Sequence, residues 1–165
     1  MVATTRPASL ISAAGRGVLA GLAGVFVMTV GEKLEQRFTS RSNSYVPARA
    51  LLTMARQQAS QSATPTSWNH AMHWGTGALL GALRGVRSAT GIRGAQATAT
   101  HAVVRLAFDQ TLENVTGAGA PPISWPSQER ALDLAHKGLY SIVTGLVADQ
   151  WIQATAESRR GRTSH

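Results

Sequence analysis

Trp68 to Val86 reads WNHAMHWGTGALLGALRGV, with Gly77, Gly81 and Gly85 recurring every fourth residue. On a helix of 3.6 residues per turn, that spacing aligns the three glycines as a smooth groove along one face. In water each interior glycine costs a helix about 0.5–1 kcal/mol relative to alanine. In lipid, small residues so spaced let two backbones approach and pack. The stretch therefore predicts a long helix that packs closely on another, and a bilayer is the setting that suits it.

Working outward, residues 17–31 (GVLAGLAGVFVMTVG) form a fifteen-residue run without a charge, which also carries Gly17, Gly21 and Gly24. The run reaches span length only if it extends back to Leu10 with Arg16 snorkelling to the interface. It continues as a polar helix through Glu32, Lys33, Glu35 and Arg37. No small-x-small cleavage site follows Val30, so an uncleaved anchor helix is expected. Residues 41–44 read as loop. Pro47 then suits the N1 position of a short helix with Ala48, Leu51, Leu52 and Ala55 on one face, which fits either a membrane surface or packing on the bundle. The Ser/Thr-rich stretch 60–67 is read as linker, and Arg84 to Gly94 as a basic turn.

Two more helices follow, over residues 95–115 and from Ser127 to Gln153, the last capped by Ser127 with Glu129 in its first turn. Trp68, Trp74 and Trp151 fall near helix ends in the manner of an aromatic belt. With both termini cytoplasmic, the inner side would carry eight Lys/Arg residues and the outer loop five, which fits the positive-inside rule. The chain reads as one all-α domain over residues 1–165. Its fold is an antiparallel four-helix bundle of two helical hairpins, transmembrane, with the short amphipathic helix between the first two. Residues 1–9 are expected to be irregular and 154–165 a basic, disordered tail.

Composition narrows the function classes. The 165 residues carry no cysteine, so disulfides, thiolate ligands and a cysteine nucleophile are excluded. Sixteen Lys+Arg face eight Asp+Glu, a formal charge of +8. The bases are scattered, clustering only at Arg159-Arg160-Gly161-Arg162, and aromatics make up 5% of the chain, which argues against nucleic acid as a partner. No nucleophile elbow, P-loop, dinucleotide fingerprint or HExxH occurs, so no enzyme, cofactor or metal is expected.

The Gly-rich first helix ending in charge, together with Pro121-Pro122, Trp125-Pro126, Glu129, His136 and Tyr140 leading into the last helix, resembles the YagU-like family of small bacterial inner-membrane proteins. The resemblance covers about half the chain. It implies a four-span protein of the inner or plasma membrane without established chemistry.

His101, Arg105, Asp109 and Glu113 recur every fourth residue and form a slanted polar stripe; Asp133, His136, Tyr140 and Thr144 repeat the device on the last helix. Ionisable residues inside a membrane face the bundle interior and are functional candidates by default. Leu34-Glu35-Gln36 and Leu112-Glu113-Asn114 each close a helix, whereas His73-Trp74-Gly75 and His136-Lys137-Gly138 each open one, which suggests a duplicated hairpin. Glu35 is then expected level with His73, and Glu113 with His136, all at one end of the bundle with Asp109 and Arg105 deeper. The candidate polar cluster is Glu35, His73, Arg105, Asp109, Glu113, His136 and Tyr140. The candidate packing residues are Gly17, Gly21, Gly77, Gly81 and Gly85. Asp133-x-x-His136 alone approaches a di-metal carboxylate motif. The function expected is a small integral membrane protein in transport or envelope homeostasis, with the lipid bilayer as partner. If its glycines find no helix within the chain, a second copy is a further partner. The alternatives are a soluble helical binding module and a metal-dependent enzyme.

Overall fold

The glycine rows lie where the helix of residues 7–39 meets the helix of residues 66–89. The computed structural model describes residues 7–57 and 65–154. It has five α-helices and, among the described residues, no strand: α1 (Pro7–Thr39), α2 (Val46–Met54), α3 (Thr66–Ala89), α4 (Gly94–Val115) and α5 (Ser127–Trp151), with a 3-10 turn at Pro122–Ser124. A Cβ built on Gly21 would strike the Gly77 carbonyl and the Gly81 Cα; one on Gly17 would strike the Gly81 carbonyl and the Gly85 backbone. The α1 and α3 backbones therefore touch, with no side chain between them. The pairs step in opposite senses along the chain, so the helices are antiparallel.

The other two long helices join on the opposite flank. Gly24 of α1 accommodates Tyr140 and Thr144 of α5, and a Cβ there would lie 2.8 Å from the Tyr140 carbonyl. Ala13, Ala20 and Ala89 pack with Ala148 and Ile152. Thr98 of α4 lies over Gly145 of α5. Hence α1 and α4 run one way, and α3 and α5 the other. The turn from α3 to α4 uses Gly91 and Gly94 at positive φ, 88° and 78°. It is held to the C-terminus of α5 by Arg93, which donates to the carbonyls of Asp149 and Ile152. Pro47 is the second residue of α2, one position past the expected N1, where its missing N–H still has no helical partner to lose.

The structure corrects several sequence-based boundaries. α3 runs from Thr66 to Ala89, longer at both ends than the expected 68–86, so Arg84 and residues 87–89 of the expected basic turn are helical. Ser127 lies inside α5; Pro126 holds the cap position and no side chain caps it. α1 already begins at Pro7, within the stretch expected to be irregular. The remainder of that stretch, the basic tail from residue 155 and most of the linker lie outside the described residues. By length and composition, one described helix is apolar enough to cross a membrane, over Leu10–Thr39. Four spans legible from composition are therefore not found.

The core is unusual in what it buries. Its apolar members are mostly small, while the largest fully buried side chains are Arg84, Tyr140 and His101. Large apolar side chains point outward instead: Leu19, Phe26 and Val30 on α1, Leu79 and Leu83 on α3, Val103 on α4, and Leu134, Ile142 and Leu146 on α5.

Candidate functional site

The interior polarity opens into a cavity of about 570 Å³ at the end of the bundle where α1 stops and α5 begins. α4 and α5 supply its charged wall. Four-residue spacing places Arg105, Asp109 and Glu113 on successive turns of α4, rising toward the mouth. The same spacing on antiparallel α5 sets Lys137 and Asp133 opposite them. Arg105 Nε donates to Asp109 Oδ2 at 2.9 Å, and Lys137 Nζ lies 3.4 Å from Asp109 and 2.7 Å from Asp133. These four groups form a neutral ladder. Buried charges are tolerable only with such pairing, because desolvating each ion otherwise costs several kcal/mol.

Below the ladder lies a close-packed polar floor. The Arg105 guanidinium stacks 4.7 Å above the Tyr140 ring, and the Tyr140 hydroxyl donates to the Gly77 carbonyl at 2.7 Å. The His101 ring centre is 5.7 Å from that of Tyr140, and neither of its nitrogens has a hydrogen-bond partner among the described residues.

Above the ladder, Glu32, Glu113, Glu129 and His136 line the cavity. Gly119, in the loop before α5, closes over Glu113: a Cβ there would come within 3.1 Å of Glu113 Oε2. At the rim Arg41 reaches Glu35 at 2.9 Å and Glu129 at 3.6 Å. Beyond the apolar stretch of α1, hydrogen bonds from Arg41 and then from Thr39 hold the Glu35 carboxyl below its ordinary value of 4.5.

The expected cluster is thus divided. Arg105, Asp109, Glu113, His73 and His136 line one cavity, and Tyr140 sits beneath it. Glu35 does not meet His73. It is held by Arg41 and Thr39, while His73 Nε2 lies 3.1 Å from Thr29 Oγ1. Six residues separate Thr29 from Glu35, so Glu35 stands about 9 Å further along α1. The cause is position within the helix: His73 lies seven residues inside α3, which begins at Thr66, whereas Glu35 lies four residues from the end of α1 at Thr39. No group of three or more His, Asp or Glu side chains among the described residues is arranged to hold a metal ion, Asp133 and His136 included.

Sequence reasoning overlooked a second polar site at the opposite end. Fully buried Arg84 donates from Nη2 to Asp149 Oδ2 at 2.8 Å, Ser88 donates to Asp149 Oδ1 at 2.7 Å, and the Gly94 backbone N–H donates to the same carboxylate at 2.9 Å. The signal was present, since Gly81, Arg84, Gly85 and Ser88 follow i, i+3, i+4, i+7 and share the buried face. Neither a family model, a curated protein nor a solved structure matches the chain.

Proposed function

We propose that this is a multi-pass membrane protein in which α1, α3, α4 and α5 cross the bilayer. Its function is to admit a small polar solute into the charged cavity from one side, in binding or transport. One observation carries the reading: charge is excluded from the outside of α3 and α4 and of the middle stretches of α1 and α5, the exposed Arg16, Lys33, Arg37 and Arg130 standing toward helix ends. Along residues 17–32, 66–89, 94–115 and 131–151, none of the exposed residues is Asp, Glu, Lys or Arg. The charged residues of those stretches, Glu32, Arg84, Arg87, Arg105, Asp109, Glu113, Asp133, Lys137 and Asp149, are all buried or half-buried. A water-soluble bundle distributes them the other way, with Lys, Glu, Arg and Asp almost never fully buried.

Averaged over all their residues, α3, α4 and α5 are less apolar than α1 because their inward charges count together with their uncharged outward residues. Lipid meets only the outward set. At 24, 22 and 25 residues these helices have the length a span requires, about 20 residues. Arg16 fits an interfacial position, exposed and donating from Nη1 to the Trp151 carbonyl at 3.1 Å. The likeness to YagU-like proteins carries the same expectation. Fractionation tests it: the protein should stay in the membrane pellet through high salt and alkaline carbonate and be released by detergent. Recovery in the high-salt supernatant would overturn it in favour of the soluble binding module.

A further inference from the structure

The cavity is electrically polarised along its depth. At its floor is Arg105, with a side chain 4% exposed. Asp109 binds its Nε, while Nη1 has no hydrogen-bond partner among the described residues. A buried guanidinium N–H without an acceptor is an unmet donor, and a carboxylate satisfies it best.

At the mouth the balance reverses. Glu113 lies eight residues, or about 12 Å, further along α4. Glu32, Glu113 and Glu129 all line the cavity. Of these, Glu129 has a charged partner, Arg41, which is engaged more closely by Glu35. The rim cation Lys33 is turned to the side-chain carbonyls of Gln36 and Asn43. Tyr45 and Trp125 line the same region, and aromatic faces favour a cation. Along the lining five acids (Glu32, Asp109, Glu113, Glu129 and Asp133) stand against four bases (Lys33, Arg41, Arg105 and Lys137), a slight excess of acid in a chain whose bases outnumber its acids two to one.

We propose that the cavity binds an elongated zwitterion, with its carboxylate on Arg105 at the floor and its ammonium among Glu32, Glu113 and Glu129 at the mouth. The cavity volume suits a small organic solute. A short α-amino acid carries its charges too close together to reach both ends, whereas an ω-amino acid or a basic amino acid spans them. This specificity rests on the reading of the cavity as a solute site. It does not depend on the bilayer, so binding is measured on the purified full chain in detergent or in buffer alike.

Isothermal titration with 6-aminohexanoate, glycine, hexanoate and hexylamine provides the test. 6-Aminohexanoate should bind, and each of the other three should bind weaker by about tenfold or more. Glu113→Gln, close to isosteric, should weaken 6-aminohexanoate to the level of hexanoate while leaving hexanoate unchanged. Glu129→Gln supplies the same comparison should the first variant fold poorly. Hexylamine binding as well as the amino acid would replace the proposal with a plain cation site. No binding by any of the four, or full binding by both variants, would overturn it. Recovery of the protein in a soluble fraction would remove the membrane reading and leave these outcomes unaffected.

Discussion

Gly81→Ala adds one methyl group in the middle of the α1–α3 crossing, where backbone meets backbone. The new Cβ would stand 2.5 Å from both the Gly17 carbonyl oxygen and the Gly21 Cα, and 2.8 Å from the Gly21 nitrogen. Carbon contacts are most favourable at about 3.5–4.0 Å. All three neighbours are backbone, so no side chain can rotate away and the helices must separate by about 1 Å. A gap of that size forfeits about a quarter to a half of the dispersion attraction along the crossing. It also stretches the Tyr140 hydroxyl bond to the Gly77 carbonyl. Overpacking typically costs about 1–3 kcal/mol, and this site belongs at the upper end. Gly75→Ala is the matched control: it makes the same chemical change on the same helix, with nothing within 4 Å of the added atom. It should be neutral or stabilising by up to about 1 kcal/mol, the usual helix preference for alanine. Thermal unfolding of both variants in one detergent or buffer, followed by circular dichroism, should separate them by about 10 °C. Equal melting temperatures would refute the claim that backbone contact holds α1 to α3.

Asp149→Asn leaves Arg84 buried without its carboxylate, so a loss of about 3–5 kcal/mol is expected in the same unfolding assay. Arg130→Ala, on an exposed side chain, should stay within about 0.5 kcal/mol. His101→Phe replaces a fully buried ring whose nitrogens lack partners with an apolar ring of similar shape, and should be neutral or stabilising; a large loss of stability would show that the imidazole bonds a group not seen here. For Glu35 the folded pKa lies below the unfolded one. Its contribution to stability is therefore complete above about 4.5 and fades as pH falls through the lowered value. Arg41→Ala should remove most of that acid-side dependence, and an unchanged pH–stability curve would contradict the assignment.

Local pattern made the elements legible, and distance in sequence concealed the partners. The charge-free run 17–31, Pro47 and the four-residue stripe of α4 each lie within one helix, so the helices could be read with errors of a few residues at their ends. Arg84 falls in both the expected helix 68–86 and the expected basic turn 84–94, and local pattern does not decide between them. What holds it inside is Asp149, 65 residues away, and no local signal announces that pairing. The Glu35–His73 match failed for a related reason: repeating short motifs give an order along the chain, but where each helix starts and stops decides which residues stand level. Asp109 and Glu113 were legible as one stripe; that Lys137 reaches Asp109 as well as Asp133, while Glu113 has no ion pair among the described residues, depends on the register between α4 and α5.

The central claim is that the apolar outer face meets lipid, and single-cysteine accessibility reads it directly, since the chain has no cysteine of its own. Leu19→Cys, Phe26→Cys, Leu79→Cys, Val103→Cys and Leu146→Cys all replace outward side chains, Phe26 and Leu146 each being 60% exposed. Asn43→Cys and Gln128→Cys mark the exposed rim of the cavity end. In native membranes opened to give access to both faces, a charged, membrane-impermeant maleimide should label the two rim positions and spare the five outward ones until detergent and denaturant are added. Rapid labelling of the five positions at the rate of the rim would mean that water covers that face, and would contradict the account.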